Sequence, residues 1–285
     1  MPKTYNDLYI DVRNALREDG SPFPAAEARI LVAAAAGKTT EKLVRDFRLY
    51  VTDELAQRVS HLLGRRLRGE PVAYITGEWE FMGLPMEVSP AVLIPRIDTE
   101  TLAQTAIDYL TGRKMDARVL DLCSGSGCIG CAIAAALPQS RVTLCDISPE
   151  AMVLARRNVE RNGLQGRVSY LEADVTAPPP LMIGSFDLVV SNPPYIPTIE
   201  ILTLDPSVRD YEPVWALDGG EDGLDFYRII TKNWRGVVRS GGALMFEVGE
   251  EQAERVKDLM RLGGFHDAEA VRDTRGVDRV VTARL

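Results

Sequence analysis

Val119-Leu120-Asp121-Leu122-Cys123-Ser124-Gly125-Ser126-Gly127 reads as an apolar strand that runs into a glycine-rich turn. Gly125 and Gly127 lack a Cβ, so the turn can adopt positive φ and a ligand can lie against its backbone. A helix expected over Gly127–Leu137 then points its free N–H groups at that ligand. Outward from this stretch the pattern repeats. Strands are expected at Arg118–Leu122, Arg141–Asp146, Val168–Glu172, Phe186–Ser191, Ala243–Val248, Ala268–Arg272 and Arg279–Ala283. Helices are expected at Pro149–Asn162, Leu224–Val238 and Glu250–Leu262, with another from Thr99 to Leu110. Such alternation predicts an α/β fold with a doubly wound, mostly parallel sheet. Only Asp273-Thr274-Arg275-Gly276-Val277-Asp278 separates the last two strands, too little for a crossover helix, so these should form an antiparallel hairpin.

Upstream the period changes to helical. Tyr5, Leu8, Tyr9, Val12, Ala15 and Leu16 share one face, and Gly20-Ser21-Pro22 ends that helix. Pro24–Ala36, Thr40–Phe47 and Asp53–Leu67 follow, a set that makes a small bundle. Between Tyr74 and Val88 aromatic and apolar residues sit among Gly77, Gly83 and Pro85, the pattern of a β-hairpin. The expected organisation is a helical domain over 1–72, a β-hairpin linker over 73–98 and the sheet domain over 99–285. No internal repeat is visible.

Two domains suit a chain of 285 residues. The net charge of -8 disfavours a dedicated nucleic-acid binder, because the molecule as a whole repels a phosphate backbone. Arg65-Arg66-Leu67-Arg68 is the one dense basic cluster, and on a helix it reads as a solvated face. The longest apolar run near the start, Ile30 to Ala36, is far short of a membrane span, and no secretory signal is visible. Cys123, Cys128, Cys131 and Cys145 lack good metal-ligand spacing and read as buried free thiols, with no metal site expected. Reduced thiols fit a cytoplasmic protein. The expectation is a cytoplasmic monomer with no membrane and no direct nucleic-acid partner.

Three acidic residues stand at or near strand ends around the glycine turn. Asp121 precedes the glycines, where a carboxylate can meet a ligand ammonium. Asp146 ends the next strand and can accept from both hydroxyls of a ribose. Ser148-Pro149-Glu150 opens the following helix, with Ser148 as its N-cap. Asp174 follows the third strand, where a carboxylate can reach an adenine amino group. Gly125-Ser126-Gly127-Cys128-Ile129-Gly130 also fits GxGxxG, so these residues alone do not separate a nicotinamide dinucleotide from S-adenosyl-L-methionine.

Asn192-Pro193-Pro194-Tyr195 follows the strand Phe186–Ser191 and favours the methyl donor. An amide or exocyclic amine nitrogen is a poor nucleophile because its lone pair is delocalised. The Asn192 side-chain oxygen and the Pro193 carbonyl are both acceptors and can hold its two N–H groups. The prolines fix φ, and Tyr195 offers a flat face to a planar group. A nitrogen held this way can meet a methyl group in line, and its proton can leave after transfer. Asn192, Pro193 and Tyr195 are therefore the candidate catalytic residues. The tetrapeptide alone leaves adenine and glutamine open.

The chain resembles the release factor-specific protein-(glutamine-N5) methyltransferases from about Gly69 onward. The residues that carry the likeness are Gly69-Glu70-Pro71-Val72-Ala73-Tyr74-Ile75-Thr76-Gly77, Val92-Leu93-Ile94-Pro95-Arg96, Leu120 to Gly127, Ser191 to Ile196 and Asp222-Gly223-Leu224. The sheet pattern likewise resembles the class I methyltransferase variant of the Rossmann architecture, seven strands with a terminal antiparallel hairpin. The resemblance implies S-adenosyl-L-methionine as cofactor and S-adenosyl-L-homocysteine as product. It implies cofactor contacts at Cys123, Ser124, Gly125, Ser126, Gly127, Asp146, Asp174 or Val175, and Asn192. It implies that Asn192, Pro193, Pro194 and Tyr195 bind the glutamine of the Gly-Gly-Gln tripeptide in class 1 peptide chain release factors, with the helical domain helping to grip that partner. Three positions depart from the common pattern. Cys123 stands where glycine is frequent, Ile97-Asp98 replaces Pro-Glu, and Val175 replaces an aromatic residue of some members. The rival readings are a DNA adenine N6-methyltransferase, a glutamine methyltransferase of a ribosomal protein, an NAD-dependent oxidoreductase, and a binding module on an inactive fold.

Overall fold

The computed structural model describes residues 2–114 and 116–285. The chain divides into two compact units, one of residues 1–78 with 205–211, the other of 79–204 with 212–285.

The first unit holds helices α1 (Tyr5–Glu18), α2 (Pro24–Ala36), α3 (Thr40–Arg45), α4 (Asp53–Arg66) and α5 (Val72–Thr76). Local chemistry sets their ends. Thr4 and Asp7 form a reciprocal capping box on α1, and Thr39 and Thr52 cap α3 and α4 through their hydroxyls. Leu16, Leu31 and Leu43 are fully buried at the centre of this unit. The fifth helix was not expected. Val72 and Ile75, one turn apart, reach back into the bundle core, which carries the helical unit past the expected boundary at 72. The basic cluster is also less solvated than expected. Arg65 pairs with Glu70, and Arg66 holds Glu27 in a two-point contact at 3.0 and 3.2 Å. These two guanidinium groups tie α4 to its neighbours.

The second unit begins with a short hairpin, β1 (Glu78–Phe81) and β2 (Leu84–Glu87), narrower than the expected linker because α5 takes the residues before it. Helix α6 (Glu100–Leu110) follows a 3-10 turn at Ile97–Thr99. The alternating elements are β3 (Arg118–Leu122), α7 (Cys128–Ala136), β4 (Arg141–Asp146), α8 (Pro149–Arg161), β5 (Val168–Glu172) and β6 (Phe186–Ser191). After the short helix α9 (Pro206–Arg209), which belongs to the first unit, come α10 (Asp225–Asn233), β7 (Val238–Glu247), α11 (Ala253–Leu262), β8 (His266–Arg272) and β9 (Asp278–Arg284).

The seven strands order as β5-β4-β3-β6-β7-β9-β8. All neighbours are parallel except β9, which runs antiparallel to β7 and to β8. Side chains alternate across the sheet. Val119, Leu188, Val190 and Met245 face one apolar layer with α6 and α7. Leu120, Leu122, Val189 and Phe246 face the other with α10 and α11. Strand β7 begins before the expected Ala243, because a register shift against β6 absorbs the Gly241-Gly242 pair that reads as a turn. Helix α10 stops before the expected Val238, where the chain tightens into a 3-10 turn at Arg235–Val237 and Trp234 is buried. Among the described residues no helix is long and apolar enough to cross a membrane, and no cluster of His, Cys, Asp and Glu can hold a metal ion.

Close packing of α7 on the sheet depends on Gly130. A Cβ there would lie 2.2 Å from Leu144 Cδ2 and 3.0 Å from Val142 Cγ1. Gly130→Ala should therefore cost about 1–3 kcal/mol through overpacking, measured as a lower denaturation midpoint in urea. An unchanged midpoint would show that α7 moves freely.

Candidate active site

Strand order reverses between β3 and β6, and the carboxyl ends of the parallel strands meet there in a crevice. The crevice is a cavity of about 540 Å³. Its floor is the turn after β3, where Cys123, Ser124, Gly125 and Ser126 line it. Asp146 and Asp174 line it from the next two strand ends, and Asn192 and Pro194 from β6. The structure thus brings together most of the residues picked from sequence.

Asp146 is the hinge of this arrangement. Its Oδ2 accepts from Gly125 N–H at 2.7 Å and its Oδ1 from Ser148 N–H at 3.0 Å. One carboxylate therefore fixes both the glycine turn and the entry to α8, and each oxygen keeps a lone pair for a ligand hydroxyl. Burial raises its pKa, opposed by the backbone N–H groups. Asp174 Oδ1 accepts from the Thr176 amide and hydroxyl at 2.8 and 2.7 Å. Val175 is buried beside it, and its carbonyl accepts from Trp234 Nε1 at 2.9 Å. Aromatic surface reaches the cavity from Phe226 and the exposed Trp215, not from position 175.

Cys123 has a φ of 57°, and a side chain in such left-handed backbone costs roughly 1–2 kcal/mol. Burial pushes the thiols of Cys131 and Cys145 up to about 12, so both stay protonated and unreactive. All four cysteines are free.

Four expected contacts lie outside the cavity lining: Asp121, Gly127, Pro193 and Tyr195. Asp121 is fully buried and forms no part of the cavity wall. Its Oδ2 accepts from Gly130 N–H at 2.9 Å, so it braces the start of α7 from within. Gly127 likewise serves packing, since a Cβ there would lie 2.8 Å from Leu144 Cδ1. The buried Ser124 hydroxyl, by contrast, lines the cavity and has no hydrogen-bond partner. A buried hydroxyl without a protein partner at that place suits a polar ligand group.

The tetrapeptide is held from several sides. Asn192 Nδ2 donates to Thr99 Oγ1 at 3.3 Å, leaving Oδ1 as the acceptor. The Tyr195 carbonyl accepts from Gln252 Nε2 at 2.9 Å, and its hydroxyl donates to Glu247 Oε1 at 3.4 Å. Gly219 presses on the backbone: a Cβ there would lie 2.7 Å from Tyr195 Cα and 2.9 Å from the Pro194 oxygen. Sequence reasoning missed Thr99, Glu247, Gln252 and Gly219, which lie far away along the chain and match no local pattern. It also quoted Val92, Leu93 and Pro95 without a role; they form one wall of the cavity. The Ile94 amide and the Arg96 guanidinium both bind the buried Glu212 carboxylate, which fixes that wall.

The fold and the crevice define a methyltransferase. Residues 97–202 match the methyltransferase small domain family, and residues 7–77 match the PrmC N-terminal domain family. A methyltransferase structure from Pyrococcus furiosus has the same fold, with a TM-score of 0.51 and 17% identity over 79% of this chain and 98% of that one. The release factor glutamine methyltransferase of Geobacter sulfurreducens is 43% identical over 96% of this chain and 94% of its own length. That of Clostridium acetobutylicum is 36% identical over 97% of both chains. The chain belongs to the release factor glutamine methyltransferase family.

Two measurements probe this geometry. Burial pushes the Asp121 carboxyl up to about 8 from an ordinary 3.8, so the folded chain holds a proton that the unfolded chain releases. Stability from this group is full below about pH 4 and is lost as pH rises toward 8. The stability of Asp121→Asn relative to wild type should therefore improve by at least about 1 kcal/mol from pH 4 to 8, by chemical denaturation. A pH-independent difference would contradict the buried neutral acid. Asp146→Asn places an amide against one of two backbone donors and should weaken adenosylhomocysteine binding by about 10- to 100-fold in calorimetry. Wild-type affinity would remove Asp146 from the binding site.

Proposed function

We propose that this enzyme transfers the methyl group of S-adenosyl-L-methionine to the side-chain amide nitrogen of a glutamine, the one in the Gly-Gly-Gln tripeptide of peptide chain release factors. The observation that carries the reading is the fixed orientation of Asn192. One N–H of its amide donates to Thr99, which turns its oxygen away as an acceptor for a substrate N–H.

The cavity residues suit the cofactor. The Asp146 oxygens keep lone pairs for a ribose, Asp174 stands at the next strand end, and the Ser124 hydroxyl lacks a partner. Ser124 and the turn at Gly125 would take the amino-acid end. When bound, adenosylmethionine supplies an electrophilic methyl group on a sulfonium. The protein's part is orientation. Asn192 Oδ1 and the Pro193 carbonyl accept the two N–H groups of the glutamine amide and fix the plane of its nitrogen. Tyr195 packs against that plane. Burial beside Glu247 raises its pKa far above the ordinary phenol range, so the ring stays neutral. Holding the two partners in line lowers the barrier by removing orientational freedom before reaction.

Glutamine is favoured over adenine by the acidic balance of the chain and by the internal pairing of Arg65 and Arg66, which leaves less free basic surface on the helical unit. The release factor itself rests on the likeness to the named relatives. On this reading the helical unit grips the release factor, and the enzyme works as a cytoplasmic monomer.

The test uses purified protein, adenosylmethionine and either an intact release factor or duplex DNA, with methyl groups mapped by mass spectrometry. A methyl group on the Gly-Gly-Gln glutamine is expected; one on adenine, or none on the peptide, defeats the reading. Asn192→Ala should cut transfer at least about 100-fold while cofactor binding stays near wild type. Retained activity would strip Asn192 of its role.

A further inference from the structure

Ile97-Asp98-Thr99 is a single 3-10 turn between the cavity wall and α6. Little that is local holds it. The turn has no side-chain cap, and Ile97 is 79% exposed, so it buries little apolar surface. Its last residue nevertheless reaches the site. Thr99 is buried, lines the cavity, and its Oγ1 accepts from Asn192 Nδ2 at 3.3 Å. A threonine at the start of a helix ordinarily caps it with its hydroxyl. Thr99 has helical backbone instead, with φ -66° and ψ -22°, and makes no such bond to α6. Its oxygen is left for Asn192.

The middle residue ties the turn down. Asp98 Oδ2 accepts from Arg275 Nη2 at 2.5 Å and stands 3.5 Å from Arg279 Nη2. Both arginines belong to the β8–β9 hairpin, Arg275 in its turn and Arg279 in β9. Asp273 builds that turn. Its Oδ1 accepts from the Arg275 and Val277 amides at 2.9 and 3.0 Å. Its Oδ2 stands 3.4 Å from Arg275 Nη2 and 3.7 Å from Arg279 Nε. Arg279 is buried, and its Nη1 donates to the Val248 carbonyl at 3.2 Å. An isolated exposed ion pair contributes little. Here two carboxylates alternate with two guanidinium groups, and one guanidinium is buried and bound to backbone, so the network has a fixed end. Removing the Asp98 charge sets the two guanidinium groups side by side with one carboxylate fewer, and it releases the turn.

We propose that Asp98 is a positioning residue for methyl transfer: anchored on the β8–β9 hairpin, it fixes the Ile97–Thr99 turn and, through Thr99, the place of Asn192. The proposal rests on the reading above, in which Asn192 accepts an N–H of the glutamine. Asp98 does not line the cavity, whereas Thr99 and Asn192 do, so it acts through them and not on a ligand. Misplacing an aligning group by about 1 Å can cost on the order of 100-fold in rate. A turn that loosens but stays tethered at both ends should cost less than that.

The experiment measures kcat, KM for a Gly-Gly-Gln substrate, and adenosylhomocysteine affinity for wild type, Asp98→Asn, Asp98→Glu, Thr99→Val and the double variant Asp98→Asn with Thr99→Val. Methylation by wild type comes first; its absence defeats the glutamine reading and this inference with it. Given wild-type activity, Asp98→Asn should lower kcat about 3- to 10-fold with cofactor affinity within about twofold, and Asp98→Glu, which keeps the charge, should recover most of the loss. Thr99→Val, which cannot accept from Asn192, should lower kcat at least as far. In the Thr99→Val background Asp98→Asn should cost less than about twofold more, because its effect passes through the same hydroxyl. A role in stability alone would give independent losses that multiply. Wild-type kcat in Asp98→Asn or in Thr99→Val, a loss of cofactor affinity as large as the loss of kcat, or multiplied losses in the double variant would each overturn the proposal. Should Asp98→Asn fail to fold, Arg275→Gln takes its place in the same cycle and is read the same way.

Discussion

The site depends on one carboxylate bridging two strand ends. Asp146 ends β4, takes the Gly125 amide from the turn after β3, and takes the Ser148 amide at the entry to α8. The parallel pairing of β3 with β4 puts Leu122 opposite Cys145, which brings the glycine turn within reach of the next residue, Asp146. The register of the sheet therefore builds the cavity floor. The tight packing of Gly127 and Gly130 against Leu144 holds α7 close enough for its first turn to face the same space.

Three acids in this unit illustrate how burial divides labour. Asp146 is satisfied by backbone donors yet opens on the cavity. Asp121 is sealed beneath α7, where burial raises its pKa and it braces the first turn. Glu247 is sealed as well, but the Tyr195 hydroxyl connects it to the tetrapeptide. A carboxylate thus opens on the cavity, braces a helix or holds a tyrosine hydroxyl according to which donors surround it and how far it lies from the cavity.

Much of this was legible in the sequence because it is local. The apolar run before Gly125 marks β3, and Ser148-Pro149 marks the start of α8, since each signal and its consequence lie within a few residues. Asn192-Pro193-Pro194-Tyr195 pointed to an amide-type nitrogen for the same reason. What was hidden is non-local. Nothing near Glu247 announces that Tyr195 will meet it, and Gly219 reads as a loop glycine until Tyr195 lies against it. The position of Asp121 along the strand is clear from sequence, while the face it points to, toward Gly130, is set by the packing of α7. Ile75 falls within the expected linker because a five-residue helix gives too short a period to recognise.

The central claim is that the tetrapeptide holds a planar amide nitrogen as a hydrogen-bond donor. The most direct measurement is a high-resolution crystal structure of the protein with adenosylhomocysteine and a Gly-Gly-Gln peptide. The account predicts the glutamine amide nitrogen between Asn192 Oδ1 and the Pro193 carbonyl, facing the sulfur of the cofactor, with Asn192 Nδ2 still on Thr99. A glutamine bound elsewhere in the cavity, or an Asn192 amide that turns its nitrogen to the substrate, would contradict it.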